Sequence, residues 1–81
     1  MWKFKYRKQA FIFLKENNLL EKIRDKLIEF LKGERVDVKR LKGEWKGFLR
    51  LRIGRVRVIF KLDSENKVIE IYKAGFRGKI Y

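Results

Sequence analysis

The stretch Phe48-Leu49-Arg50-Leu51-Arg52-Ile53-Gly54-Arg55-Val56-Arg57-Val58-Ile59-Phe60 decides the fold. Apolar residues alternate with arginines on both sides of Gly54-Arg55, the pattern of two half-buried strands joined by a two-residue turn. Such a turn sets the register: Ile53 faces Val56, Leu51 faces Val58 and Leu49 faces Phe60. These six residues make one apolar face, directed at a core. On the reverse face Arg52 lies opposite Arg57, and Arg50 lies opposite Ile59. Like charges placed directly opposite one another destabilise a sheet, so something has to offset them. A bridging anion does so, and phosphate suits arginine because the planar guanidinium grips oxygens in pairs. The plain alternative is a solvated face kept basic for solubility. Against it, no acid occurs between Lys46 and Arg57, and solubility faces usually mix signs.

Working outward, Asp63 to Lys67 reads as a polar loop and Val68 to Ala74 as a further strand. At the other end Trp2, Phe4 and Tyr6 alternate with Lys3, Lys5 and Arg7, again the period of a strand. One strand face of this kind is usually core, although aromatic rings there also suit base stacking. The spacing changes at Lys8, and Ala10, Phe11, Phe13 and Leu14 predict a helix over Lys8–Glu16. Asn18 followed by Glu21 has the form of a capping box that starts a second helix. In that helix Leu20, Ile23, Leu27, Phe30 and Leu31 share a stripe, and Gly33 is a natural stop. The short connection implies a helical hairpin. The expected fold is therefore α+β, ordered β–α–α–β–β–β, with an antiparallel twisted sheet and the helical hairpin packed on one face. The stretch Gly75 to Tyr81 is too short and glycine-rich to assign.

Composition narrows the chemistry. The 81 residues carry 23 Lys+Arg against 10 Asp+Glu, a formal net charge of +13, with no His, Cys or Pro. That length predicts a single domain, residues 1–81, because two halves would each be too small to hold a core. Without Cys or His the chain has no thiolate nucleophile, no imidazole base and no His- or Cys-based metal site. The charge points to a polyanionic partner, whether nucleic acid, an anionic membrane or an acidic protein. The apolar run Ala10 to Leu14 is too short for a signal peptide or a membrane span, so a soluble, cytoplasmic protein is expected.

The C-terminal part is basic as well. After Glu70 come Lys73, Arg77 and Lys79 with no acid, and Tyr81 follows. A basic surface with an aromatic able to stack on a base is a signature of single-stranded nucleic-acid contact. Trp45 and Lys46 precede the first arginine strand and suit either RNA contact or a core-edge anchor. Asp63 and Glu65 fit turn chemistry better than a cation site. No metal and no cofactor is expected.

Taken together, Leu41-Lys42-Gly43, the Phe48–Phe60 hairpin and Gly75-Phe76-Arg77-Gly78-Lys79-Ile80-Tyr81 resemble the RelE/ParE toxin superfamily over nearly the whole chain. The resemblance is greatest to its RelE branch. It implies the toxin of a toxin–antitoxin system, an endoribonuclease that cuts mRNA in the ribosomal A site without a metal. By the same resemblance an acidic RelB-like antitoxin holds it inactive in a hetero-oligomer. Arg50 and Arg52 fall where the family keeps two cations, Arg57 on its phosphate-contacting arginine, Arg77 on the arginine after the last strand, and Tyr81 on the closing tyrosine. Those five are the candidate catalytic residues, with Lys46, Lys73 and Lys79 as candidate substrate contacts. Phe60 replaces a more usual tyrosine, and Phe76 stands where some relatives have histidine. Two rival readings remain open: a ParE-like poison of DNA gyrase, and a non-catalytic RNA- or ribosome-binding module.

Overall fold

The computed structural model describes residues 1–78. Its elements are β1 (Lys3–Tyr6), α1 (Lys8–Glu16), α2 (Leu20–Leu31), β2 (Val38–Arg40), a 3-10 turn (Gly43–Trp45), β3 (Leu49–Ile53), β4 (Val56–Asp63) and β5 (Val68–Phe76). The hairpin β3–β4 forms in the register that its turn dictates, with Ile53 opposite Val56, Leu51 opposite Val58 and Leu49 opposite Phe60. Gly54 supplies the left-handed backbone of that turn, at φ +56°, which a residue with a Cβ adopts only at a cost.

The sheet has five strands in the order β1-β5-β4-β3-β2. Two features differ from the sequence expectation. Val38-Lys39-Arg40 adds a short edge strand antiparallel to β3, and β1 pairs with β5 in parallel, so the sheet is mixed rather than antiparallel. The helices cover one face. Ala10 and Leu14 of α1 and Ile23 and Leu27 of α2 close onto Leu51, Val58, Phe60, Ile69, Ile71 and Ala74 of the sheet. Phe60 is fully buried and meets Phe30 edge to face at 5.9 Å. Each large side chain enclosed there contributes about 1.5–3 kcal/mol relative to its exposed state.

Both helices end in the same device. After α1, Asn18 takes a left-handed backbone at φ +56°, with Leu19 N–H on the Leu14 carbonyl at 2.7 Å and Asn18 N–H on the Lys15 carbonyl at 3.1 Å. After α2, Gly33 at φ +81° repeats the pattern, through Glu34 N–H to Glu29 and Gly33 N–H to Phe30, both at 3.0 Å. These paired bonds satisfy carbonyls that the helix leaves open. Asn18 therefore stops α1 instead of starting α2. The residue before α2 is Leu19, and no side chain caps that helix.

β5 is much longer than β1, whose pairing ends at Tyr6 opposite Ile71. Beyond that point Gln9 takes over. Its Nε2 donates to the Ala74 carbonyl at 2.6 Å and its Oε1 accepts the Ala74 N–H at 3.0 Å. One carboxamide thus imitates a strand residue and ties the start of α1 to the end of β5. Among the described residues no helix is long and apolar enough to cross a membrane.

Candidate nucleic-acid interface

The sheet face away from the helices is built in rows by the strand register. One row runs Lys39, Arg50, Ile59, Lys73 across β2 to β5. The next runs Arg52, Arg57, Gly75, with Asp37 beside Arg52 because the Arg52 N–H bonds the Asp37 carbonyl at 3.0 Å. A third pairs Lys61 with Glu70 and Glu70 with Lys5.

A bulge decides what β5 adds to these rows. Ile59 pairs with Lys73 but Phe60 pairs with Ile71, so Tyr72 is an extra residue. One inserted residue exchanges the two faces of everything after it. Core-facing positions accordingly pass from Ile69 and Ile71 to Ala74. Lys73 and Gly75 come to the arginine face, and Arg77 follows directly after β5, its N–H bonding the Arg55 carbonyl at 2.8 Å.

The arginines are not equivalent. Arg57 is 9% exposed, and its Nη1 turns back onto the Gly54 carbonyl at 2.9 Å, bracing the hairpin turn. Arg50 is nearly enclosed, with 13% of its side chain exposed against 50% for Arg52. Both reach one acid: Arg50 Nη2 lies 2.9 Å from Asp37 Oδ1, and Arg52 Nε lies 2.6 Å from Asp37 Oδ2. The expectation that no acid offsets the arginine strands is corrected here. Asp37 lies outside the acid-free stretch in sequence, and β2 carries it alongside β3.

Of the residues singled out from sequence, Arg50, Arg52, Arg57 and Lys73 share this face. Lys46 does not join them. It follows the 3-10 turn, past the end of β3 remote from Gly54, and lines an open groove with Arg40, Lys42 and Phe48. Lys79 and Tyr81 lie outside the described residues. A feature that sequence reading missed is the cluster Trp45, Phe48 and Tyr72, whose rings meet edge to face at 4.9–6.2 Å. Each ring carries a cation: Arg7 over Tyr72 at 4.6 Å, Lys61 over Phe48 at 5.4 Å and Lys73 over Trp45 at 5.6 Å. Rings holding cations in this way fix basic groups that would otherwise swing freely. Tyr72 follows core-facing Ile71 and so already alternates to this face, and the bulge adds Lys73 beside it. The cluster itself was hidden because Trp45 and Phe48 lie far from Tyr72 in sequence.

Elsewhere, Asp63 serves its turn. Oδ1 accepts the Asn66 N–H at 3.1 Å and Oδ2 the Asn66 Nδ2 at 2.9 Å, which holds the Asp63 carboxyl below the usual carboxylate range. No group of three or more acidic residues suited to a metal occurs among the described residues. Burial raises the Tyr6 phenol above its ordinary value, opposed by the nearby charge of Arg24.

No protein-family model and no curated protein matches the sequence. Solved structures do. A chain of the archaeal RelE–RelB complex from Pyrococcus horikoshii is 29% identical, with a TM-score of 0.62 over 96% of this chain and 97% of that one. A chain of the YoeB–YefM complex from Staphylococcus aureus is 21% identical, with a TM-score of 0.67 over 95% and 98%. The RelBE2 toxin–antitoxin complex from Mycobacterium tuberculosis gives 23% identity and a TM-score of 0.62 over 94% and 98%. The shared fold, with 29% identity to the archaeal chain, supports the RelE/ParE toxin superfamily for this chain.

Proposed function

We propose that this protein is the toxin of a toxin–antitoxin system and cleaves mRNA in the ribosomal A site. The observation that carries this reading is the row Arg52–Arg57, with Arg50 and Lys73 in the row beside it, on a sheet face that no helix covers. RNA can be cut by its own 2′-OH, which attacks the adjacent phosphate and leaves a 2′,3′-cyclic phosphate and a 5′-OH. The nucleophile belongs to the substrate, so the protein must align it, stabilise the added negative charge and move protons. Arg52 is the exposed arginine of the face, with exposed Lys73 in the row beside it and Arg77 just past the end of β5, and it contacts the phosphate. Arg57 and Arg50 hold the field around it from below. No metal is required for any of these tasks.

Proton transfer rests on few groups. Arginine stays charged and makes a poor base, which leaves Tyr81 and Lys79 as the acid and base of this reading. A chain lacking imidazole gains most from a ribosome that aligns the RNA for it, so cleavage of free RNA is slow. The cytoplasm, where ribosomes translate, is the place of action. The partner is an acidic antitoxin forming a hetero-oligomer with this +13 chain. Support for it comes from the RelE–RelB and YoeB–YefM complexes among the similar structures.

Primer extension on an mRNA in a translation extract tests the reading. Codon-phased cuts are expected, reduced roughly 100-fold by Arg52→Ala, the order of loss when one charge-stabilising donor is removed. Absence of any cut by the wild-type chain, with loss of gyrase supercoiling in a parallel assay, would replace this function with the ParE-like one.

A further inference from the structure

Asp37 is held against the arginines by more than its own charge. The Val38 N–H bonds the Val36 carbonyl at 2.9 Å, a three-residue turn that sets Asp37 at its centre. The Arg52 N–H then fixes the Asp37 carbonyl at 3.0 Å. From that anchored position one carboxylate spans two arginines, taking Nη2 of Arg50 and Nε of Arg52.

The choice of atoms matters. A guanidinium presents two forks, one along its Nε edge and one end-on through its two Nη groups. Asp37 occupies Nε of Arg52 and leaves both Nη groups of that half-exposed side chain without a bond to any described residue. Arg50 is disposed differently. It spends Nη2 on the carboxylate, and its Nε is buried with no partner among the described residues. A guanidinium so enclosed braces the carboxylate and has little left to offer a substrate.

We infer that Asp37 is a positioning residue: it seats on Arg50 and turns the end-on fork of Arg52 outward as the phosphate receptor. This rests on the RNA-cleavage reading and adds an anion that works for the site from within it. A carboxylate merely occupying the place of the phosphate would have the opposite effect on turnover, which makes the two roles separable.

Asp37→Asn removes the charge at nearly constant shape. Binding to a single-stranded RNA blocked by 2′-O-methyl groups becomes a few-fold tighter, with a steeper salt dependence, since the face loses an acid. Cleavage in the translation extract nevertheless slows about tenfold, in kcat rather than KM, because the fork is no longer aimed. Asp37→Glu restores part of kcat. Equal or faster cleavage by Asp37→Asn would make Asp37 a competitor of phosphate and overturn the inference. Weaker binding together with slower cleavage would mark general damage to the face and overturn it as well. Should Asp37→Asn fail to fold, the wild-type protein decides the matter through NMR of its arginine side chains, titrated with inorganic phosphate. The Arg52 Nε–H signal is expected to stay while its Nη signals shift. Movement of the Nε–H signal, or no response from Arg52, refutes the assignment. That titration needs no turnover, so it separates failure of this inference from failure of the ribonuclease reading.

Discussion

Gln9→Ala tests whether a side chain stands in for a strand. The Gln9 carboxamide makes two bonds to the Ala74 backbone, at 2.6 and 3.0 Å, where β1 has already ended. A hydrogen bond of this kind contributes about 0.5–1.5 kcal/mol net, and freeing the glutamine side chain returns a part of that as entropy. The expected loss is about 1–2 kcal/mol, or a fall in Tm of roughly 4–8 °C per kcal/mol for a chain of this size. Urea unfolding gives the free energy, and amide exchange at Ala74 locates it. Gln9→Glu sharpens the test, since a carboxylate still accepts the Ala74 N–H but sets a second negative oxygen against its carbonyl, so it destabilises at least as much. An unchanged urea midpoint together with unchanged Ala74 exchange in Gln9→Ala would refute the strand-substitute account. The loss would also be felt at Arg77, three residues along, whose backbone depends on the same strand end.

Phe60→Ala removes a fully buried ring and its edge-to-face contact with Phe30. The expected cost is about 3–5 kcal/mol, enough to leave a domain of marginal stability largely unfolded by circular dichroism. Asp63 predicts a pH effect with a definite sign. Its folded pKa lies below the ordinary 3.8 because of Asn66, so its contribution is complete above that value and disappears as pH falls through the lower folded one. Asn66→Ala should return the Asp63 carboxyl towards 3.8, read as its NMR titration.

The hairpin was legible because its evidence is local: a two-residue turn and strict alternation fix five residue pairs at once. The helices were legible for a similar reason, and Gly33 was placed at the position it holds. Asn18 shows the weakness of the same reasoning, since asparagine suits both a helix start and a left-handed stop, and only the tertiary path chooses. β2 has three residues in a charged segment, too few for alternation to register. Asp37 was missed with it, because its pairing to Arg50 and Arg52 exists only once β2 lies beside β3. Alternation placed Arg57 on the correct face but implied exposure, and its burial follows from its turning back to Gly54. The Tyr72 bulge left no trace in the pattern, although it determines which face Lys73 serves.

The pairing of β1 with β5 also bears on how the protein is made. Lys3 cannot find Val68, nor Gln9 reach Ala74 65 residues away, until the ribosome has delivered almost the whole length described. Contacts so distant in sequence form late, and a nascent chain extends one residue at a time. Through most of translation the first strand and helix therefore wait unseated, and the arginine rows do not yet exist. On the proposed function, the chain would then be harmless to the ribosome synthesising it.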